Sequence, residues 1–344
     1  MISVEQDFSL TSKKKIMFAL TQNTSRQREI AEVVLRNGWD YMRGLMTGNK
    51  ADEPRLPSPK VLRNILIELG PVYVKLGQLL STRPDLLPKK YVEALTDLQG
   101  RVPPVAWSEV EILIGQELSR PLKECFTSIE EKAIAAGSIG QVHRAILKNG
   151  EKVALKVQRP GIEKVVAQDI ALIKNLAELA SLTDFGKDYD IVALAEEFTS
   201  ALEAELDFTS EAQYTETLKR NLAESRWFAT EKLVVPKVYW EVTSPKILTI
   251  VWLEGTAILE AELPPTRDDR DVATQRKEIT TLLFRAFFQQ IYLDGFFHAD
   301  PHPGNIFYLE DGRIALLDCG MSGRLDPRTQ QILTEMLLAI VDLD

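Results

Sequence analysis

The side chains best suited to chemistry lie in one short stretch, residues 297–320, which reads FHADPHPGNIFYLEDGRIALLDCG. It begins with a polar loop (298–305), continues with two short apolar runs and ends with Asp318-Cys319-Gly320. The apolar runs, 306–310 and 313–317, flank an Asp-Gly dipeptide, the strongest short-range hairpin signal. The sequence therefore predicts two antiparallel strands joined by a two-residue turn.

The register of this hairpin decides which polar side chains meet. If Glu310 faces Arg313 across the turn, Asn305 faces Asp318, and directly opposed Cβ atoms are about 4.5–5.5 Å apart. An amide oxygen and a carboxylate at that distance suit one hard cation such as Mg²⁺. Asp300 precedes the hairpin and is placed to orient a hydroxyl group or a water. A base, a metal-binding amide and a metal-binding carboxylate are the parts of a phosphoryl-transfer site.

The alternative is a surface hairpin without a chemical role, in which Pro and Gly only form the turns. The spacing favours the chemical interpretation, because kinases use H-x-D-x-x-x-x-N with the metal-binding Asp a short hairpin later. The rest of the chain must then supply a phosphate-covering loop, a strand lysine and a glutamate that pairs with it.

The composition is that of a globular protein with 45% hydrophobic and 26% charged residues. A net charge of −9 argues against nucleic acid as the main partner. The two cysteines, Cys125 and Cys319, form no disulfide framework and indicate a reducing compartment. No apolar run reaches the roughly 18 residues of a membrane helix, so a cytoplasmic location, peripheral to a membrane or with an anchor in the full-length protein, is expected. The most apolar stretch, 282–297, is interrupted by polar residues and predicts a buried amphipathic helix.

The N-terminal part is predicted to be helical. Residues 12–45 have helical periodicity, and their Lys13-Lys14-Lys15 start indicates a solvated helix end or, alternatively, a membrane-surface contact. Residues 47–60 form a proline-rich linker, and a helix from Val61 ends at Gly70-Pro71. Residues 71–88 predict an amphipathic helix, and residues 89–130 continue as helices broken near 102–104.

Two polar residues of the 71–88 helix, Lys75 and Gln78, lie three positions apart and share a face. From the residues alone, a lone helix lysine is usually exposed to solvent.

The sequence changes character after Ala133. Four small residues, Ala135-Ala136-Gly137-Ser138, allow a close approach of the backbone to a ligand. Two strands follow, joined by Asn149-Gly150, and the second contains Val153-Ala154-Leu155-Lys156-Val157. If Lys156 is buried, it needs an anion as a partner. The V-A-I-K strand of kinases, whose lysine binds nucleotide phosphates, is a precedent for such a buried lysine. The alternative is that Lys156 extends from an edge strand into solvent.

A long helical region, 190–222, carries three acids of interest: Glu205, Asp207 and Glu211. One acid of this region is expected to pair with Lys156. Because Glu205 and Glu211 are six residues apart, a straight helix directs them about 120° from each other. They therefore have different roles, or the helix breaks near Asp207.

Two further strands are predicted, at 234–238 and 246–252. Leu253-Glu254-Gly255 is the expected hinge into a second lobe, and residues 260–278 an exposed connection.

Together these motifs resemble those of the UbiB-like atypical kinases, also called the AarF or ADCK family. The Lys-x-Gly-Gln motif is Lys75 to Gln78, the alanine-rich nucleotide loop is Ala135 to Ser138, and the Glu-x-Asp motif is Glu205 to Asp207, followed by a helix glutamate at Glu211. The catalytic loop and metal motif match 298–305 and 318–320, so the resemblance covers roughly residues 60–325 in order.

The resemblance implies an α+β, protein-kinase-like fold of two lobes with a helical N-terminal extension. The implied segments are an N-terminal segment and linker (1–60), the extension (61–130), the small lobe (131–252) and the beginning of a large lobe that appears cut short (253–344). It implies ATP and Mg²⁺ as cofactors and a part in prenylquinone or isoprenoid lipid metabolism, with a lipid or quinone-pathway acceptor and a membrane surface as candidate partners.

The resemblance also assigns roles to residues. Asp300, Lys156, Glu211 and Lys75 are catalytic; Ala135, Ala136, Gly137, Ser138, Lys156 and Glu254 bind the nucleotide; Asn305 and Asp318 bind the metal; and Gln78, Glu205 and Asp207 are regulatory. In the fold so implied, Lys75 contacts Glu205 or Asp207, Gln78 completes that contact, and the extension covers the active site.

Two positions depart from the family pattern. Gly137 replaces the third alanine of the nucleotide loop, which affects nucleotide preference and self-phosphorylation. Cys319 replaces the phenylalanine of Asp-Phe-Gly, either as a tolerated substitution or as a redox switch.

Two other functions stay open. One is a small-molecule kinase of the aminoglycoside phosphotransferase type, whose His-x-Asp-x-His-x-x-Asn loop is satisfied by residues 298–305 but which lacks the 75–88 extension. The other is a non-catalytic or ATPase-driven module for handling lipids, which the same residues would serve.

Overall fold

The computed structural model describes residues 25–30, 32–33, 36, 58–96, 98, 103–182, 189–263 and 272–342. The helices are α1 (Pro59–Leu69), α2 (Pro71–Ser81), α3 (Lys89–Thr96), α4 (Trp107–Leu118), α5 (Leu122–Cys125), α6 (Ile162–Ala180), α7 (Ile191–Glu205), α8 (Phe208–Ala223), α9 (Val272–Gln289) and α10 (Pro327–Val341). The strands are β1 (Phe126–Ile129), β2 (Ala135–Ala136), β3 (Gly140–Leu147), β4 (Lys152–Gln158), β5 (Leu233–Val234), β6 (Ile247–Val251), β7 (Gly255–Ala257), β8 (Phe296–His298), β9 (Ile306–Leu309), β10 (Ile314–Leu316) and β11 (Ser322–Arg324). A π-helical turn, Gln290–Asp294, follows α9 directly. None of the described helices is long and apolar enough to cross a membrane.

The chain divides into two compact units, and the first consists of segments 1–106, 135–141 and 158–206. Its core is helical, because α1, α2, α6 and α7 each place an apolar stripe on one face. Ser58 caps the start of α1, and Gly70, with φ +95°, separates α1 from α2. A buried ion pair joins Arg26, in the helical residues 25–30, to Asp169 on α6 at 2.8 Å.

A close approach between helices explains the glycine of the Lys-x-Gly-Gln motif. A Cβ atom at Gly77 would lie 2.9 Å from Cδ1 of Leu66 and closer still to Cδ1 of Leu98. Both leucines are buried, so neither can move aside freely. Gly77 therefore sets the distance at which α2 packs against its neighbours.

The second unit consists of segments 107–134, 142–157 and 207–344. Its first sheet has the strand order β1-β3-β4-β6. A four-stranded sheet, β5-β10-β9-β7, and a two-stranded sheet, β11-β8, carry the polar loop of residues 298–305. A cluster of buried side chains from α8, β9, β10 and α9 supports these sheets.

Most of the predicted elements are present. The helix predicted from Val61 to Leu69, the paired strands around Asn149-Gly150 and the break in the acidic helix are confirmed. The helix predicted at 71–88 is present but ends at Ser81. Asp207 caps α8 by accepting the Thr209 amide at 2.9 Å, which is the physical reason for the break.

Several predicted boundaries are wrong. Residues 89–130 are not all helical, because β1 pairs with β3. The strand predicted at 234–238 is reduced to β5, since Val238 makes only an isolated bridge to Ile250. The connection predicted at 260–278 ends by Val272, where α9 begins, and residues 264–271 lie outside the described part of the chain.

The buried helix predicted at 282–297 is only partly correct: α9 ends at Gln289, the π-helical turn and the first residues of β8 follow, and the burial of α9 is partial. Ala286 is fully buried, whereas Phe284 is 67% exposed. The basic start at 13–15 and most of the 47–60 linker lie outside the described residues, which include helical residues only in part of 12–45.

Candidate active site

Strand β4 presents Lys156 between buried neighbours. Val153, Leu155 and Val157 point to the other face and are fully buried, which fixes the strand in place. The Lys156 ammonium lies 5.1 Å from the centre of the Phe208 ring, where α8 begins. The apolar surroundings strengthen any charge interaction of this lysine.

Glu211 on α8 is the partner of Lys156. The Lys156 Nζ lies 2.9 Å from Oε1 and 2.7 Å from Oε2 of Glu211, which is itself 8% exposed. The Lys156 Nζ also lies 3.6 Å from Oδ1 of Asp318. A strand lysine thus joins a helix glutamate to the aspartate of the metal motif, and the predicted pairing of Lys156 with an acid of the 190–222 region is confirmed.

The hairpin that carries Asn305 has a different register from the one predicted. Ile314 pairs with Tyr308 and Leu316 with Ile306, and the Leu317 amide donates to the Asn305 carbonyl at 2.7 Å. Asn305 therefore lies opposite Leu317 and not opposite Asp318.

The turn explains the one-residue difference. The Leu309 amide donates to the Arg313 carbonyl at 2.8 Å, so three residues, 310–312, form the loop. Gly312 has φ +84°, the left-handed position of a three-residue hairpin loop. Asp318 follows the last paired residue and has φ +50°, which is uncommon for a residue with a side chain and is frequent at functional sites.

The polar loop is held by His298, which is 2% exposed. Its Nδ1 accepts the Asp300 amide at 3.2 Å, and its Nε2 lies 3.1 Å from the Leu317 carbonyl, which can only accept. These two contacts require a neutral ring protonated on Nε2. His298 therefore fixes the backbone of Asp300 relative to the strand that leads to Asp318.

Gln290 supports this arrangement from the π-helical turn. Its Oε1 accepts the His298 amide at 2.9 Å, and the residue is fully buried. π-Turns occur frequently at functional sites. Sequence reasoning missed Gln290, because an apolar helix with scattered polar residues gives no sign of a π-turn.

Gly320 and Cys319 complete the metal motif. A Cβ at Gly320 would lie 3.2 Å from Oδ1 of Asp318 and 3.3 Å from Oε2 of Glu211, so glycine leaves room for both carboxylates. Cys319 is 1% exposed within the apolar cluster, and burial raises the pKa of its thiol to about 12. A thiol that keeps its proton is a poor nucleophile, which disfavours the redox switch.

Asn305 and Asp318 carry oxygen donors of the type that Mg²⁺ takes together with nucleotide phosphates. The Asn305 Nδ2 donates to the Asp300 carbonyl at 3.2 Å, so Oδ1 is the atom of this amide that could bind a metal. Among the described residues, no cluster of three or more His, Cys, Asp or Glu side chains suits a metal. Mg²⁺ commonly takes one or two protein ligands and completes its shell with phosphates and waters.

The small-residue loop belongs to the first unit. The Gly137 amide donates to the Gly140 carbonyl at 2.8 Å, and the Arg159 guanidinium donates to the Gly137 carbonyl at 3.0 Å. A Cβ at Gly137 would meet only the Gly140 carbonyl, at an ordinary 3.6 Å. Backbone sterics therefore do not require glycine at this position. In the second unit, Glu254 pairs with Lys152 at 3.4 Å.

The first unit also contains the Lys-x-Gly-Gln helix and Glu205. The Lys75 Nζ lies 2.6 Å from Oε1 of Glu205, with side-chain exposures of 27% and 19%, so the predicted contact is confirmed. Gln78 was predicted to join this contact, but its Nε2 lies 3.4 Å from the Leu98 carbonyl. The two side chains share a helix face, as expected three positions apart, but they bind different partners, so the predicted role of Gln78 in the Lys75 contact is wrong.

Comparison with known proteins identifies the family. Residues 97–344 match the ABC1 atypical kinase-like domain. The chain belongs to the ABC1 atypical kinase family. An uncharacterised protein of Synechocystis sp., slr0889, is 63% identical over 95% of this chain and 80% of its own length.

More distant relatives agree with this assignment. A probable protein kinase UbiB of Azotobacter vinelandii is 37% identical over 86% of this chain, and ACTIVITY OF BC1 COMPLEX KINASE 7 of Arabidopsis thaliana is 36% identical over 89%. The chain spans only 53% and 42% of the length of these two proteins. The resemblance to the UbiB-like kinases is confirmed.

A solved structure confirms the kinase-like fold. Rv3197 of Mycobacterium tuberculosis, in complex with erythromycin, superposes with a TM-score of 0.53 at 28% identity. The match covers 86% of this chain and 67% of that one. The segment boundaries predicted at residues 60, 130 and 252 and the roles of the individual site residues stay predictions.

Proposed function

We propose that this protein is a Mg²⁺-dependent, ATP-binding atypical kinase or ATPase. The observation that carries the proposal is the chain of ion pairs from Glu211 through Lys156 to Asp318, with distances of 2.7 Å and 3.6 Å. Phosphoryl transfer needs a cation fixed by a helix glutamate next to a metal-binding aspartate. Membership of the ABC1 family supports the same reaction class.

Each residue has a role in this scheme. Lys156 binds the nucleotide phosphates while Glu211 holds its ammonium in place. Asn305 and Asp318 hold Mg²⁺, which neutralises phosphate charge when bound. Asp300 orients the acceptor hydroxyl or water, since His298 fixes its backbone. The small-residue loop from Ala135 to Ser138 and Glu254 contribute to nucleotide binding.

The proposed acceptor is a prenylquinone-pathway or isoprenoid lipid, or water. The support is the UbiB name of the Azotobacter relative. The N-terminal extension is proposed to cover the site and limit access to it, through Lys75, Glu205 and Asp207. Gln78 binds the Leu98 carbonyl and has a smaller part in this proposal. Family membership and the presence of the Lys75 helix argue against a kinase of the aminoglycoside phosphotransferase type.

A second candidate is a non-catalytic or ATPase-driven module that handles lipids. It is favoured by the Rv3197 structure, which contains erythromycin. Labelled ATP, supplied with candidate protein, prenyl-lipid and small-molecule acceptors, distinguishes the possible reactions. A labelled acceptor supports the kinase. Release of phosphate alone supports an ATPase, which the module also allows, and the absence of both products supports a non-catalytic module.

The metal assignment is tested by Asp318→Asn, which should abolish the thermal stabilisation by Mg·ADP because the amide replaces the charged ligand. Asp311→Asn is the matched control, since this aspartate lies in the turn of the same hairpin and pairs with Arg313. Ligand at 100 times Kd stabilises the folded state by about 2.7 kcal/mol, a readily measured shift. Equal stabilisation of both variants would show that Asp318 does not hold the metal.

A further inference from the structure

An apolar cavity lies within the first unit, between α2, α6 and α7, and has a volume of about 290 Å³. Protein interiors keep few voids larger than a water molecule, whose share of liquid volume is about 30 Å³. Leu79 on α2 and Leu176 on α6 line the cavity and are 39% and 38% exposed, so the cavity reaches the surface. Its size and its opening are typical of a small-molecule site.

The walls of the cavity are almost entirely aliphatic. Leu76 and Leu80 contribute from α2, Ile173 from α6, and Leu194 and Phe198 from α7. Such a surface gains free energy by removing hydrocarbon from water and offers nothing to a strongly polar molecule.

Two polar groups lie among the described lining residues. Arg83 donates to the Asp85 carboxylate at 2.6 and 2.9 Å, so its charge is already balanced. The Tyr73 hydroxyl is buried and has no hydrogen-bond partner among the described residues. The site therefore offers no net charge for a carboxylate or a phosphate.

We propose that this cavity binds a single aliphatic or isoprenoid chain of about twelve carbon atoms that ends in an uncharged polar group. The length follows from volume, because an apolar cavity of about 150 Å³ holds the six carbons of benzene. The proposal deepens the proposed function by naming a ligand class, and its link to isoprenoid metabolism rests on that function. The site itself rests on the cavity, and none of its lining residues belongs to the candidate active site.

The proposed ligand lies between the two helices that carry the Lys75–Glu205 ion pair, so we expect its binding to be coupled to that ion pair. Helix α2 carries Lys75 on one side and cavity residues on another, and α7 ends at Glu205. A ligand that fills the space between α2 and α7 stabilises the helix positions that bring Lys75 within 2.6 Å of Glu205. Coupling of this kind is reciprocal, so loss of the ion pair must weaken binding of the ligand.

Binding is tested on the whole chain without nucleotide, by calorimetric titration with the primary alcohols from 1-butanol to 1-hexadecanol and with geraniol. Each methylene is worth about 0.8 kcal/mol, so Kd should fall about fourfold per carbon and level off near twelve carbons. Decanoate should bind more weakly than 1-decanol. The absence of binding, or no dependence on chain length, overturns the site, and tighter binding of decanoate overturns the uncharged end group. Because nucleotide is absent, this result is independent of the Mg·ADP test.

Variants locate the site. Ala177→Phe and Ala195→Phe each place a ring in the cavity, from two different helices, and should raise the Kd of 1-decanol at least tenfold. Neither change should lower Tm, because the ring fills empty space. Ala171→Phe and Ala201→Phe, on the exposed faces of the same helices, should bind as the unaltered chain does. Unchanged binding in both cavity variants overturns the location. The chain-length series on the unaltered chain decides the proposal even if one variant fails to fold.

The coupling has its own test. Lys75→Ala should raise the Kd of 1-decanol at least threefold. Lys75→Arg, which keeps the charge, should raise this Kd less than twofold. Lys174→Ala, on the exposed face of α6, is the control and should have no effect. Equal affinity in all four proteins overturns the coupling while leaving the binding site to be judged by the titrations.

Discussion

At the scale of single residues, the candidate active site depends on side chains that bind backbone atoms. His298 connects the Asp300 amide to the Leu317 carbonyl, and Gln290 in turn binds the His298 amide. None of these three contacts reaches a phosphate or a metal, yet together they set where Asp300 points. The orientation of the proposed base is thus determined by groups that take no part in the chemistry.

Two substitutions separate these roles. His298→Asn keeps an acceptor near the Asp300 amide but cannot reach Leu317, whereas His298→Ala loses both bonds. We expect the free energy of unfolding to fall by about 1–3 kcal/mol in His298→Asn, because the carbonyl of the half-buried Leu317 loses its hydrogen bond to His298, and by more in His298→Ala. ATP turnover should fall more than the affinity for Mg·ADP in both.

His302→Ala alters the exposed histidine of the same loop. In denaturant titrations it should lower the free energy of unfolding by less than His298→Ala does. If His298→Ala and His302→Ala are equally stable and equally active, His298 has no positioning role.

Cys319 offers a second test at this scale. Because the thiol is 1% exposed, Cys319→Phe overpacks the apolar cluster and should destabilise the fold by about 1–3 kcal/mol. The metal ligand next to it is unchanged, so nucleotide affinity should stay within about tenfold, or about 1.4 kcal/mol. Complete loss of nucleotide binding in a folded Cys319→Phe protein, or oxidant sensitivity that Cys319→Ser removes, would restore the redox interpretation.

The same thiol makes stability depend on alkaline pH. An unfolded cysteine loses its proton near pH 9, whereas burial keeps the folded thiol protonated up to about pH 12. Between these values the unfolded state binds fewer protons, so the free energy of unfolding falls as pH rises. Denaturant titrations at pH 8 and pH 10.5 should therefore show a smaller fall for Cys319→Ala than for the unaltered chain. An equal fall in both proteins would contradict a buried, protonated thiol.

At the scale of elements, the packing of α2 is set by one glycine. Gly77→Ala places a methyl group against the buried Leu66 and Leu98 and should lower the free energy of unfolding by about 1–3 kcal/mol. Gly115→Ala on α4 is the matched control, because its Cβ would meet only Leu122 at an ordinary 3.5 Å. That change should stabilise the fold by up to about 1 kcal/mol through helix propensity. Thermal unfolding of the two variants distinguishes them, and a stable Gly77→Ala protein would show that close packing is not the role of this glycine.

The elements also show what local sequence patterns predict and what they do not. The strand with Lys156 and the break before α8 were predictable, because alternation and an aspartate cap act within a few residues. The register of the 306–316 hairpin was not, because an Asp-Gly pair fits a two-residue turn and also the last two positions of a three-residue loop. The pairing of Lys75 with Glu205, 130 residues apart, came from the family resemblance and not from any local pattern.

At the scale of the whole molecule, acidic residues outnumber lysines and arginines, 50 to 41. The second unit places Glu211 and Asp318 beside Lys156, and the first unit pairs Glu205 with Lys75. Like charges at 4 Å repel by roughly 4 kcal/mol at an effective dielectric near 20, so these carboxylates need cations. In the proposed function, Mg²⁺ supplies the positive charge that Lys156 alone does not, so we expect nucleotide binding to require the metal.

The last prediction concerns Lys75, whose pairing with Glu205 is shielded from solvent more than an ordinary surface ion pair. Lys75→Ala leaves a carboxylate that is 19% exposed without its cation, so we expect ATP turnover and self-phosphorylation to change by more than twofold, with Lys75→Arg closer to the unaltered chain. Lys89→Ala is the matched control, because Lys89 and Glu93 form a solvent-exposed pair at 3.8 Å, a type that contributes little. Lys156→Ala should abolish both activities, since the phosphates lose their cation. If neither Lys75 variant alters either rate by more than twofold while Lys156→Ala abolishes both, the Lys-x-Gly-Gln helix is a scaffold. In that case the proposal that the extension controls access to the site fails, whereas the assignment of the phosphoryl-transfer residues stands.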